Sequence, residues 1–136
     1  MITAATIAER PAPRSFRAGS HPLDGKIDVM DTLTSNIVKT IPIEFAAALA
    51  FNSIGTQVFI VEQIQGVVPV MDAMTYAPLA KIEVGASPDE IGIGPNDAFA
   101  VVTNYDGQSV TLINLTGCST TTVAVPGRPM GLSLRY

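Results

Sequence analysis

Two stretches of the chain, residues 49–62 (LAFNSIGTQVFIVE) and residues 91–104 (IGIGPNDAFAVVTN), fit one template. They lie 42 positions apart, and each runs from an apolar segment through a turn containing Gly and Asn into a second apolar segment. A recurrence at this spacing is typical of one supersecondary unit that is repeated along a chain and buries its apolar face against its neighbours.

A second pattern recurs with the same period in residues 27–31 (IDVMD), 68–72 (VPVMD) and 110–114 (VTLIN), at offsets of 41 and 42. Apolar residues alternate in each segment, which predicts a strand with one buried face. Each segment ends in Asp or Asn, whose side chain can cap the following turn.

Further β-type segments accompany these three, rich in Val, Ile, Thr and Phe and bounded by Gly, Pro, Asn or Asp. They are residues 37–43, 57–61, 79–84, 90–94, 98–103 and 120–125. The third repeat thus has four predicted strands, and four short antiparallel strands in about 42 residues make one β-propeller blade. The sequence predicts an all-β fold, a partial β-propeller of four-stranded antiparallel blades with WD40-like repeats.

This register predicts the domain organisation. Residues 1–25 form an irregular segment broken by prolines, with a short strand near residues 2–7. Residues 26–136 form the repeats: a partial blade at 26–43, blades at 44–84 and 85–125, and the first strand of a next blade at 126–136, centred on residues 130–134. Because closed propellers need about four to eight blades, we expect a fragment or half of a larger propeller.

Three local features carry expectations of their own. Alanine favours helix, so residues 45–51 (FAAALAF) could form a short helix instead of a strand. Pro69 falls inside a predicted central strand and predicts a local bulge. Asp106-Gly107 predicts a tight strand-connecting turn, because Gly accepts positive φ, and Val102 on the preceding strand is predicted to face the core between blades.

The third repeat resembles the YVTN family of β-propeller repeats, also called YncE-like, over about residues 26–136. Residues 84–88 (VGASP) match the Gly and Pro bend that begins such a blade, residues 94–97 (GPND) stand where the family has Ser-Pro-Asp-Gly, and residues 101–104 (VVTN) stand for Tyr-Val-Thr-Asn. The resemblance implies the propeller fold. It leaves function open, since such propellers serve as lactonases, haem-binding domains, dehydrogenase subunits and surface proteins.

Composition excludes several classes of protein. Hydrophobic residues make up 47% of the 136 and charged residues 15%, which argues against disorder. The net charge of -4 comes without a basic stripe, so we expect no nucleic-acid partner. No apolar run is long enough to span a membrane. No signal peptide is visible and the compartment stays open, although the resemblance implies a periplasmic or extracellular site if an export signal is missing from this sequence.

Candidate chemistry is sparse. His21 near Asp24 could form an acid-base pair, and Asp89, Glu90, Asp97 and Asp106 could collect at one rim around a calcium ion. Cys118 is the single cysteine, and no Cys-x-x-Cys-His motif occurs. We therefore expect no haem, no transition metal and no other cofactor.

The side chains most suited to a binding loop are Tyr105, Gln108 and Arg128, in the loops of the third repeat. With Asp106 and Gly107 as the structural turn, they favour a non-catalytic binding or scaffolding module. The alternative is a part of a propeller enzyme, lactonase-like or dehydrogenase-associated, whose active site other blades or subunits complete. The expected partner is another protein or a second copy, bound in a homodimer by exchange of terminal strands.

Overall fold

The computed structural model describes residues 4–6, 26–31, 34–43 and 45–135. These residues form eleven β-strands in three antiparallel sheets, together with a three-residue 3-10 turn at Pro95–Asp97. The strands are β1 Ala4–Thr6, β2 Lys26–Asp31, β3 Asn36–Pro42, β4 Ala46–Phe51, β5 Gln57–Glu62, β6 Val67–Asp72, β7 Pro78–Glu83, β8 Pro88–Ile93, β9 Phe99–Asn104, β10 Ser109–Asn114 and β11 Ser119–Ala124. The predicted all-β fold is confirmed.

The chain divides into two compact units, Met1–Ala46 and Ala47–Tyr136. The first unit holds a three-stranded sheet in the order β1-β2-β3. Ile27 and Val29 on β2 are buried, as the alternation of its sequence predicts. Between them, the carboxylate of Asp28 accepts a hydrogen bond of 2.7 Å from the hydroxyl of Thr40 on β3.

The second unit holds two four-stranded sheets, in the orders β4-β5-β6-β7 and β8-β9-β10-β11, with β4 beginning one residue before the boundary. Sequential antiparallel strands of this kind are propeller blades, so the predicted partial β-propeller is confirmed. Residues 46–51 are strand and not helix. Alanine's helix preference is small beside the packing of this strand, whose Ala47 and Ala48 lie against the core.

The core of the second unit lies between its two sheets. It consists of the following residues from β5, β6, β9 and β10: Phe59, Val61, Val68, Val70, Ala100, Val102 and Ile113. Val102 has no exposed surface, which confirms its predicted position. Each sheet contributes alternate residues to this layer, and the intervening residues Val58 and Ile60 of β5 are buried as well.

Left-handed backbone positions follow the same period as the strands. Positive φ occurs at residues 35, 76 and 118, at 45 and 87, at 55 and 97, and at 66 and 108, each series spaced by 41 or 42. Gly occupies only two of these positions, Gly55 and Gly66. The turns of each repeat therefore share one backbone conformation although their residues differ.

Pro69 causes no bulge, contrary to the sequence-based expectation. The pairing of β5 with β6 keeps one register on both sides of Pro69, from Phe59↔Val70 to Glu62↔Val67. The irregularity lies one residue later and on the other edge, where the β6–β7 register shifts between Val70 and Met71. A missing N–H removes a ladder donor without adding a residue, and an added residue is what makes a bulge.

The predicted strand at residues 130–134 is also absent, since no ladder forms among residues 125–135. Within this segment Leu132 and Leu134 are half-buried and lie against β8, where a Cβ built on Gly92 would meet their side chains at 2.9 and 2.8 Å. The segment is thus docked on the neighbouring sheet but has no hydrogen-bonded strand beside it.

Candidate functional site

Three connections of the second unit meet at one end of its sheets. They are the link between β7 and β8 (residues 84–87), the turn between β9 and β10 (residues 105–108) and the segment after β11 (residues 125–128), here called the loop cluster. Backbone hydrogen bonds join them: Tyr105 N–H donates to the carbonyl of Ser87 at 2.8 Å, Gly107 N–H to that of Ala86 at 3.0 Å, and Val125 N–H to that of Gln108 at 2.9 Å. These bonds hold the loops in one arrangement.

A buried asparagine stabilises the loop cluster through its side-chain hydrogen bonds. Asn104 has no exposed surface, and its side-chain carbonyl accepts the N–H of Gly85 at 3.1 Å. Its amide donates to the hydroxyls of Ser109 at 3.1 Å and Thr111 at 2.9 Å. Because every polar atom of this buried amide is satisfied, it ties the link between the sheets to β9 and β10 at little cost in desolvation.

The exposed part of the cluster brings two of the predicted binding residues together. The guanidinium of Arg128 lies 5.1 Å from the centroid of the Tyr105 ring, within the range of a cation–π contact. Its Nη2 lies 3.6 Å from the carboxylate of Asp106, whose other oxygen accepts a hydrogen bond of 2.6 Å from the Ser87 hydroxyl. The side chains of Arg128 and Asp106 are more than half exposed, so their pairing contributes at most about 1 kcal/mol.

Gln108, the third predicted residue, closes the turn with a φ of 45°. The equivalent residue one repeat earlier is Gly66, also left-handed at 66°. A side chain in this conformation costs roughly 1–2 kcal/mol relative to a right-handed residue. The same conformation recurs at other turns of the repeats, so it belongs to the turn, and the Gln108 side chain is exposed.

Asp106 and Gly107 lie in the turn between β9 and β10, as the sequence predicts, but the reason given for Gly107 is wrong. Gly107 is not among the residues with positive φ. A Cβ at this position would lie 3.0 Å from the backbone nitrogen of Ala86, so glycine permits the close approach of the neighbouring loop.

The four acidic residues of the third repeat do not share a rim. Both oxygens of Asp97 accept hydrogen bonds of 2.7 Å from Ser53, its N–H and its hydroxyl. Asp97 precedes β9 and Asp106 follows it, so the six-residue strand separates them by about 20 Å. In residues 26–31, 34–43 and 45–135, no three His, Cys, Asp or Glu side chains come together as metal ligands. His21 and Asp24 lie outside the described residues.

The opposite end carries the predicted Asx turns. The carboxylate of Asp72 accepts the N–H groups of Met74 and Thr75, both at 2.8 Å, and Asn114 repeats this with Thr116 and Gly117. The backbone hydrogen bond from Thr75, followed by that from Met74, lowers the pKa of Asp72 below its ordinary value of 3.8. These residues stabilise turns.

An apolar groove of about 500 Å³ opens between the two sheets at this opposite end. Its lining includes Ile54, Phe59, Leu79, Leu115 and the exposed Cys118. Sequence reasoning missed it, because the groove exists only where two sheets diverge. Ile54 lies in the turn between β4 and β5, and Leu79 lies on β7, whose residues are mostly exposed, so strand alternation does not identify either side chain as part of a groove.

Comparisons with known proteins define the fold. No family model matches the chain, and no curated protein matches it either. Among solved structures it is similar to hydrazine synthase of Kuenenia stuttgartiensis, a β-propeller-containing protein, with a TM-score of 0.70 and 16% identity over 78% of this chain and 32% of that one. A functionally unknown protein from Desulfotomaculum acetoxidans DSM 771 gives a TM-score of 0.65 and 19% identity over 74% and 34%.

At these identities the likeness shows the fold alone. The chain spans about a third of the length of both matched structures. Its blades are β-propeller blades, and in the described residues no helix is long and apolar enough to cross a membrane.

Proposed function

We propose that the chain is a non-catalytic binding or scaffolding module of YVTN-like β-propeller blades, a part or half of a larger propeller, with the loop cluster as its binding face. The blades of this proposal are those of the repeat register, 26–43, 44–84 and 85–125, with residues 126–136 beginning the next. The observation that carries the proposal is the half-buried Tyr105 with the exposed Gln108 and Arg128 around it, on a base of buried hydrogen bonds made by Asn104.

The YVTN-like motif has a structural role in this blade. The hydroxyl of Thr103 accepts the N–H of Glu90 at 3.1 Å, next to the point where the β8–β9 register shifts. Asn104 holds Gly85, as described above. The motif therefore builds the scaffold, and recognition is left to the loop residues around it, which differ from blade to blade.

The chemistry of the loop cluster favours a protein ligand over a substrate. Tyr and Arg are the residue types enriched at protein interfaces. The one carboxylate of the cluster, Asp106, faces Ser87 and Arg128 with its two oxygens, so both oxygens have partners within the cluster. Self-association through terminal strands is a second part of the proposal and is independent of the loop cluster.

Site-specific photo-crosslinking tests the binding face. A benzoylphenylalanine is placed at Gln108 or, as the matched control, at Thr75, which is equally exposed in a turn at the opposite end, and each chain is irradiated in cells of the source organism. We expect a discrete protein adduct from position 108 that is absent from position 75. Arg128→Ala should reduce that adduct at least tenfold.

Equal adducts from both positions, or none from position 108, would overturn the proposal. An adduct from position 108 that survives both Arg128→Ala and Tyr105→Ala would overturn the role of these two residues. The enzymatic alternative would be supported instead by turnover of a lactone panel that Asp106→Asn abolishes.

A further inference from the structure

Residues 130–134 occupy the place of an inner strand one period after β8. The first strands of the two complete blades begin at Ala46 and Pro88, 42 positions apart. The same spacing leads next to Met130. The N–H of Leu132 donates to the carboxylate of Glu90, 42 positions earlier, at 2.6 Å. Leu134 packs on Gly92, again 42 positions earlier. The segment is thus seated as a neighbouring blade would seat its first strand, with its outer edge unpaired.

Among the described residues, the sheet of the first unit lacks the strand that this segment represents. The repeat places β2 in register with β10, Val29 being equivalent to Leu112 at a distance of 83 positions. Ala5 pairs with Val29, and Val101 pairs with Leu112. β1 is therefore the equivalent of β9, the second strand of a blade, and in the described residues no strand pairs with its other edge.

The register of β8 and β9 then determines how the missing strand fits. In the complete blade, Gly92 pairs with Val101 and Ile91 with Val102. Leu134 and Ser133 lie 42 positions after Gly92 and Ile91, and Ala5 and Thr6 are the equivalents of Val101 and Val102. The missing strand would therefore pair Leu134 with Ala5 and Ser133 with Thr6. We propose that residues 130–134 of one copy add to the β1 edge of a second copy in this register, as the inner strand of its first blade.

A second copy is the occupant that the blade number favours. The described part of the chain forms three sheets, and closed propellers have about four to eight. Reciprocal exchange between two chains gives six four-stranded blades. The exchange also pairs the free edge of β1 with residues 130–134. Unpaired strand edges otherwise favour aggregation. The inference rests on the proposed propeller module but not on the loop cluster.

Disulfide trapping tests the pairing. In a Cys118→Ser background, the in-register pairs are Thr6→Cys with Ser133→Cys and Ala5→Cys with Leu134→Cys. Directly opposed residues have Cβ atoms about 4.5–5.5 Å apart, and one of two adjacent pairs is of the closer, non-hydrogen-bonded type, so at least one pair should oxidise. The matched control, Thr6→Cys with Leu134→Cys, is out of register by one residue and places the two thiols on opposite faces.

We expect a disulfide-linked dimer on a non-reducing gel from an in-register pair and none from the control. A disulfide within one chain would overturn the second copy as the occupant. The absence of any disulfide, or equal trapping in the control, would overturn the pairing itself.

Gly92→Val supplies a second test without cysteines. Its side chain takes the space of Leu132 and Leu134, so the segment should leave β8 and the dimer should dissociate to a monomer. Gly117→Val, where a Cβ has no contact closer than 3.9 Å, should stay dimeric. The photo-adduct at Gln108 should persist in the Gly92→Val monomer, so that failure of strand exchange and failure of the binding face are told apart. A Gly92→Val variant that remains fully dimeric would contradict the inference.

Discussion

Gly85 and Asn104 are fitted to each other at the junction of two blades. The N–H of Gly85 donates to the side-chain carbonyl of Asn104 at 3.1 Å, and a Cβ on Gly85 would lie 2.6 Å from the same side chain. The hydrogen bond needs a backbone approach that only glycine allows. The bend that enters the third blade and the asparagine that ends its second strand are therefore one structural feature.

A double-mutant cycle measures this relationship. Asn104→Ala leaves the N–H of Gly85 without its acceptor and should lower the free energy of unfolding by about 1–3 kcal/mol. Gly85→Ala should be destabilising because it clashes with the buried amide. In the double variant the clash is relieved, so we expect less destabilisation than the sum of the single changes. Urea unfolding gives the three values, and strict additivity would contradict the direct contact.

Val102→Asp tests the core between the sheets. It places an unpaired charge at a site with no exposed surface, and we expect the chain to unfold or aggregate. Val123→Asp on β11 is the control, because Val123 is 56% exposed, and it should change the melting temperature little. Thermal melting followed by circular dichroism compares the two. A Val102→Asp protein that melts like the parent would show that the register is wrong.

Gln108→Gly tests the strain in the loop cluster. Glycine relieves the left-handed conformation, so the free energy of unfolding should rise by about 1 kcal/mol. Gly66→Ala at the equivalent position, where φ is 66°, should have the opposite effect on stability. A destabilised Gln108→Gly protein would be evidence against the assigned strain.

The contribution of Asp72 to the free energy of unfolding should depend on pH. Because hydrogen bonds from Thr75 and Met74 lower its pKa below 3.8, its contribution is present above that value and is lost as pH falls through the lowered pKa. Asp72→Asn keeps an acceptor, as Asn114 does in the next repeat, and removes the titration. Acid unfolding should therefore be shallower in Asp72→Asn than in the control Glu83→Gln, and identical acid profiles would contradict this role.

Much of the fold could be predicted from the sequence because the period is strict and the β-type segments recur with it. The predicted strands at residues 57–61 and 110–114 agree with β5 and β10 to within a residue. The predicted buried face of β10 is wrong, because Thr111 is fully buried and Leu112 is 45% exposed. The Asx turns at Asp72 and Asn114 followed from local chemistry that acts within three residues.

The rest depended on contacts between repeats. Gly107 is needed for the approach of Ala86, which its own turn does not reveal. Asp97 and Asp106 were expected on one rim. They lie in the turns before and after the six-residue strand β9, which separates them. The segment 130–134 has the sequence of a strand, but a strand forms only where a ladder partner is present. Tyr105 and Arg128 were placed in loops by the sequence, and only the structure shows that they stack.

In the proposed strand exchange, two chains complete each other's blades through residues 130–134. Light scattering coupled to size exclusion measures it most directly. Strand exchange should give a particle of twice 14.3 kDa, and this dimer should be lost, to monomers or to aggregates, when residues 129–136 are removed, because the edge of β1 is then left open. A well-behaved monomer of the intact chain that melts cooperatively would contradict it.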